Sequence, residues 1–123
     1  MIAVDTSALA RFLDGNKDRY DFALTDALRR GDANLPPVVL TELLSNSSLT
    51  SADRELVFHL PILPLQDGFW QRAGLIRADL LRRGLKAKLA DCLIAQSCID
   101  NDAPLITYDR DFRHFERAGL RVI

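Results

Sequence analysis

The chain is short of the residues that build disulfide or thiolate-metal frameworks, with two cysteines and two histidines among its 123 residues. Cys92 and Cys98 fall on different faces of one expected helix, so they read as unpaired buried thiols of a cytosolic protein. His59 and His114 lack partner spacing, and no His/Cys cluster matches a zinc site. Net charge is also missing. Sixteen basic against 17 acidic residues give −1, so attraction to nucleic acid or to an acidic membrane has to come from a local patch. The apolar runs are too short to span a bilayer, and no basic-then-apolar leader opens the chain. Repeats, linkers and low-complexity stretches are absent. One cytoplasmic domain over residues 1–123 is expected.

What the chain does contain is an alternation of short apolar segments with amphipathic ones. Met1–Val4 reads as a strand, and helical patterns follow at residues 8–13 and 18–30, the first stopping at Asp14-Gly15-Asn16. Asn34-Leu35-Pro36 reads as a short strand, with Pro37 opening a helix to Asn46. Another helix starts at Ser51, and Ile62–Leu65 is strand-like between prolines. Asp67 is expected to cap a long helix over residues 68–83. A further helix spans residues 89–101, followed by a strand at 104–107, a helical segment at 110–118 and a last strand at 120–123. Strands separated by helices imply an α/β domain with a mainly parallel sheet of four to five strands, covered on both faces.

Four acids sit beside apolar segments: Asp5 after Met1–Val4, Glu42 within Val38–Leu44, Asp91 within Leu89–Ala95 and Asp109 after Leu105–Tyr108. Each has a plain structural role open to it. Asp5 and Asp109 suit helix caps or turns, and Asp91 suits a cap or a wet face beside Lys88. Glu42, among Leu40, Leu43 and Leu44, has little solvent-facing room in prospect. Taken together, they suit one cation site beyond the carboxyl ends of the strands, because converging carboxylates resist ionisation unless a cation joins them. Oxygen-only ligands favour Mg²⁺ or Mn²⁺, and such a site suits phosphodiester hydrolysis.

The stretch Ile2-Ala3-Val4-Asp5-Thr6-Ser7-Ala8-Leu9 resembles the first strand and turn of the PIN-domain ribonucleases. Thr41-Glu42-Leu43-Leu44, Leu89–Ala95 and Leu105–Phe112 resemble the second, third and fourth acidic segments of that family, in order. The small size is most similar to VapC-type toxins of toxin–antitoxin pairs. Tyr108 departs from a position where a basic residue is common, and Cys92 from one where a small residue is common. The resemblance implies a PIN-like three-layer sandwich and Mg²⁺- or Mn²⁺-dependent endoribonuclease activity, neutralised by a cognate antitoxin. It also implies a homodimer. Asp5, Asp91 and Asp109 would be metal ligands, and Glu42 would complete the catalytic set by orienting a water. Thr107 would hydrogen-bond a neighbouring carboxylate, and Asp111 is a substitute or second-ion residue.

For RNA, Arg72, Arg77, Arg82, Arg83, Lys86 and Lys88 form a basic stretch, with the Arg82–Lys88 end the better phosphate binder. Tyr108 is a candidate for base stacking, whereas Phe69 and Trp70 are expected in the core. The competing reading is a catalytically silent PIN-like RNA-binding or regulatory module. A phosphorylated receiver-type domain fits poorly, because Asp5 has no early acidic neighbour and no Lys follows Lys88.

Overall fold

The computed structural model describes residues 1–15 and 19–123. Strand β1 (Ile2–Val4) lies at the centre of a parallel sheet, between β2 (Ala33–Asn34) and β3 (Leu105–Ile106). The register pairs Ile2 with Ala33, Ala3 with both Asn34 and Leu105, and Val4 with Ile106. Two single bridges widen the sheet, Leu35 to Ile62 on one side and Leu105 to Val122 on the other. The expected strands at Ile62–Leu65 and Leu120–Ile123 therefore shrink to one bridging residue each. Pro61 and Pro64 lack the N–H groups that a longer ladder beside Ile62 would need.

Seven helices, six α and one 3₁₀, flank this sheet among the described residues: α1 (Thr6–Leu13), α2 (Arg19–Arg29), α3 (Pro37–Leu44), α4 (Ser51–His59), α5 (Phe69–Arg82), α6 (Leu89–Asp100) and a 3₁₀ helix at Arg110–Ala118. The expected start of the second helix at Asp18 lies outside the described residues, as does Asn16. Helix α6 is the central one, with Cys92, Ile94, Ala95, Gln96, Ser97 and Cys98 all buried. It packs against α5, α3 and the 3₁₀ helix, while α1 packs on α2 and α3. The core joins Val4, Leu9, Leu24, Leu35, Val39, Leu63, Leu80, Ile106, Phe112 and Phe115.

One expected cap is corrected. Gly68, not Asp67, holds the N-cap of α5, at φ 80° and with no side-chain cap bond. A Cβ there would meet Arg72 Nη1 at 2.7 Å, and a left-handed φ strains any side chain, so glycine fits both constraints. Asp67 contributes only its carbonyl, which accepts from Arg72 Nη1 at 2.8 Å.

Candidate active site

Strand β1 carries Asp5 to the carboxyl edge of the sheet, where open parallel sheets form their sites. Its side chain is buried and both oxygens are engaged. Oδ1 accepts from the Ala8 N–H at 3.0 Å and from the Ser7 hydroxyl at 2.8 Å, and Oδ2 accepts from the Thr107 hydroxyl at 2.6 Å. Asp5 is thus the N-cap of α1 as well as a buried carboxylate. Burial raises its pKa and the three hydrogen bonds oppose that shift, while Asp109 adds to it.

Thr107 and Ser7 tie β1 to the segment after β3. The Thr107 hydroxyl that donates to Asp5 also accepts the Asp109 N–H at 2.9 Å. Ser7 likewise accepts the Tyr108 N–H at 3.1 Å. Asp109 Oδ1 accepts the Asp111 N–H at 2.9 Å, which makes Asp109 the cap of the 3₁₀ helix. Asp111 therefore acts on Asp109 through its backbone.

Asp91 stands in the first turn of α6, and its pKa is raised to about 6. Burial is the main cause. Asp109, Glu42 and Asp5 all push the same way, with Lys88 opposing them. Carboxylates shift one another only at short range, so Asp5, Glu42 and Asp109 lie within electrostatic reach of Asp91. Glu42 needs a correction, because its side chain is exposed. On α3 the buried positions are Val39 and Leu43, and Glu42 falls on another face. The Thr6 hydroxyl fixes it, donating to Oε1 at 2.7 Å.

Among the described residues, no three Asp, Glu, His or Cys side chains close on a common ion position. The donor set nonetheless fits a hard divalent cation. It is all oxygen, and its mutual repulsion is opposed within the Asp91 field by Lys88. Thiolates do not compete, because burial pushes the Cys98 thiol up to about 12 and raises that of Cys92 as well.

The basic stretch turns out to be mostly committed to the fold. Arg72 grips Asp100 bidentately, Nε to Oδ1 at 3.0 Å and Nη2 to Oδ2 at 2.6 Å. Arg77 donates to the Ala87 carbonyl at 2.9 Å. Arg82 and Arg83 both pair with Asp79. Of the expected phosphate-binding end, Lys88 is the member that acts on the acidic site. Phe69 is buried as expected, but Trp70 is 64% exposed and meets Phe69 edge-on at 4.9 Å between centroids. The Tyr108 ring already carries the Arg11 guanidinium over one face, 4.2 Å from its centroid. Arg110 and Arg113, passed over in the sequence, line a cavity that Asp109 also lines. The three-residue spacing of Arg110 with Arg113 and of Phe112 with Phe115 was the available signal.

Residues 2–118 match the family model of the PIN domain. The chain belongs to the PIN-domain family. Solved structures agree at the level of fold. VapBC2 from Rickettsia felis, bound to a promoter DNA fragment, superposes with a TM-score of 0.73 at 21% identity, covering 100% of this chain and 98% of that one. VapBC-5 from Mycobacterium tuberculosis gives 0.70 at 23%, covering 99% and 96%. FitAcB from Neisseria gonorrhoeae gives 0.70 at 18%, covering 100% and 96%. No curated protein matches this PIN-domain sequence significantly. Among the described residues, no helix is long and apolar enough to cross a membrane.

Proposed function

We propose that this PIN-domain protein is a metal-dependent endoribonuclease, one catalytic unit over residues 1–123. The observation that carries the reading is Asp91, held near pKa 6 by burial and by the charges of Asp109, Glu42 and Asp5. Asp5, Asp91 and Asp109 would hold Mg²⁺ or Mn²⁺, which when bound polarises a phosphate oxygen. Thr107 and Ser7 hold Asp5, and Thr107 also fixes the backbone of Asp109. Glu42, steadied by Thr6 on the exposed rim, would orient a water toward the phosphodiester.

The matched structures support a role as the toxin of a type II pair, acting in the cytoplasm and neutralised by a cognate antitoxin. VapBC-5 is described as a member of the VapBC family of toxin–antitoxin systems. Exposed Phe22, Phe58 and Leu75 suit burial against a partner chain, antitoxin or second copy.

The test is cleavage of RNA with Mg²⁺ or Mn²⁺, with EDTA, and by the Asp5→Asn and Asp91→Asn variants, folding being checked by circular dichroism. EDTA and either substitution are expected to bring cleavage below detection. Cleavage that survives EDTA, or survives in both variants, sinks the reading. One observation favours the silent-module alternative: the Asp5 oxygens are already taken by protein donors. A folded wild-type protein that binds RNA and never cuts it would establish that alternative.

A further inference from the structure

The nuclease reading leaves one feature beside Asp109 unused. An open-sided cavity of about 380 Å³ is lined by Thr107, Tyr108, Asp109, Arg110, Arg113 and Val122. Its wall is the 3₁₀ helix, in which residues three apart lie above one another. That period puts Phe112 and Phe115 on one edge, both buried, with ring centroids 6.0 Å apart. It puts Arg110 and Arg113 together on another edge, both exposed, roughly 6 Å apart along the axis at 2.0 Å of rise per residue.

Among the described residues neither of these arginines forms a salt bridge, whereas Arg72, Arg82, Arg83 and Arg121 all do. Like charges at this helical spacing repel, and an anion seated between them removes the repulsion. The opposing carboxylate in the lining, Asp109, has Oδ1 turned to the Asp111 N–H.

We propose that this cavity is a phosphate subsite for single-stranded RNA. Arg110 and Arg113 grip a backbone phosphate flanking the one at the acidic site, using the guanidinium fork that matches phosphate oxygens. The strand then runs along the 3₁₀ helix instead of along α5. The identity of the polymer rests on the nuclease reading; the anion site rests on the cavity and its arginines.

The test reads binding without cleavage. An Asp91→Asn protein is titrated with a fluorescein-labelled eight-nucleotide RNA, and anisotropy is followed at several KCl concentrations. Adding Arg110→Ala and Arg113→Ala should lower the slope of log affinity against log salt by about 0.7, the contribution of the single backbone phosphate that both arginines grip. Affinity at low salt should drop roughly tenfold. Lysine at both positions should restore the slope but not the full affinity, because an ammonium supplies the charge without the fork. An unchanged slope and affinity in a folded alanine variant overturns the proposal. So does an equal loss from Arg82→Ala with Arg83→Ala, which would mean diffuse attraction. A wild-type protein that cannot cut RNA would sink the nuclease reading and leave this measurement able to decide the subsite.

Discussion

Two basic segments of this chain meet different fates. From Arg72 to Lys88 the charges are dense in the sequence, yet Asp100 takes Arg72, Asp79 takes Arg82 and Arg83, and the Ala87 carbonyl takes Arg77. From Arg110 to Arg113 the sequence looks balanced, with Asp109 and Asp111 interleaved. There Asp109 Oδ1 accepts the Asp111 N–H, neither acid forms a salt bridge with Arg110 or Arg113 among the described residues, and both arginines remain exposed at the cavity. Charge available to a ligand is what remains after a fold has satisfied itself. A count along the sequence does not measure it.

Reversing charge at the free segment breaks this comparison most sharply. Arg110→Glu with Arg113→Glu should weaken RNA binding more than about a hundredfold, through lost contacts and added repulsion. The same reversal at Arg82 and Arg83 should cost far less, and equal losses in the anisotropy titration would erase the distinction. The committed segment is expected to respond in stability instead. Asp100→Ala removes the carboxylate that Arg72 and Gln96 both donate to, and should cost about 2 kcal/mol in urea denaturation with RNA affinity unchanged. A smaller effect reports the acidic site between the segments. The pKa of Asp91 is raised to about 6, so the folded state holds this proton more tightly than the unfolded state does. Stability from this group is full below the unfolded pKa of 3.8 and is lost as pH rises through about 6. The metal-free protein should therefore melt at a higher temperature at pH 5 than at pH 7.5. Asp91→Asn should shrink that difference, and Mg²⁺ should restore wild-type stability at pH 7.5. A wild-type melting temperature that rises over this pH range would contradict the shared field.

The sequence was a good guide to where the acids stand. Asp5, Asp91 and Asp109 each stand at a strand end or helix start, so the pattern that locates the element also locates the acid. It misled where sequence neighbours are not spatial neighbours. Glu42 is surrounded by leucines in the chain but faces solvent, because each helical step turns the next side chain by about 100°. Trp70 follows the buried Phe69 by one such step and is likewise exposed. The edge strands at Ile62 and Val122 were overlong in prospect, since an apolar run does not say how many backbone groups find a partner. Arg110 and Arg113 were missed because Asp109 and Asp111 make the segment read as charge-balanced, although the three-residue period of the 3₁₀ helix aligns the two arginines on one edge.

The parallel register of β1 also bears on the order in which the molecule assembles. Ala3 pairs with Leu105, and the Thr107 hydroxyl reaches Asp5 across 102 positions of chain. Such distant pairings close late in folding, after the entropy of a long loop has been overcome. A nascent chain that has emerged only as far as α6 has Asp5, Glu42 and Asp91 but neither Thr107 nor Asp109 to complete the pocket. Assembly of the acidic centre thus waits on emergence of the segment that carries Thr107 and Asp109, a delay built into the order of the chain.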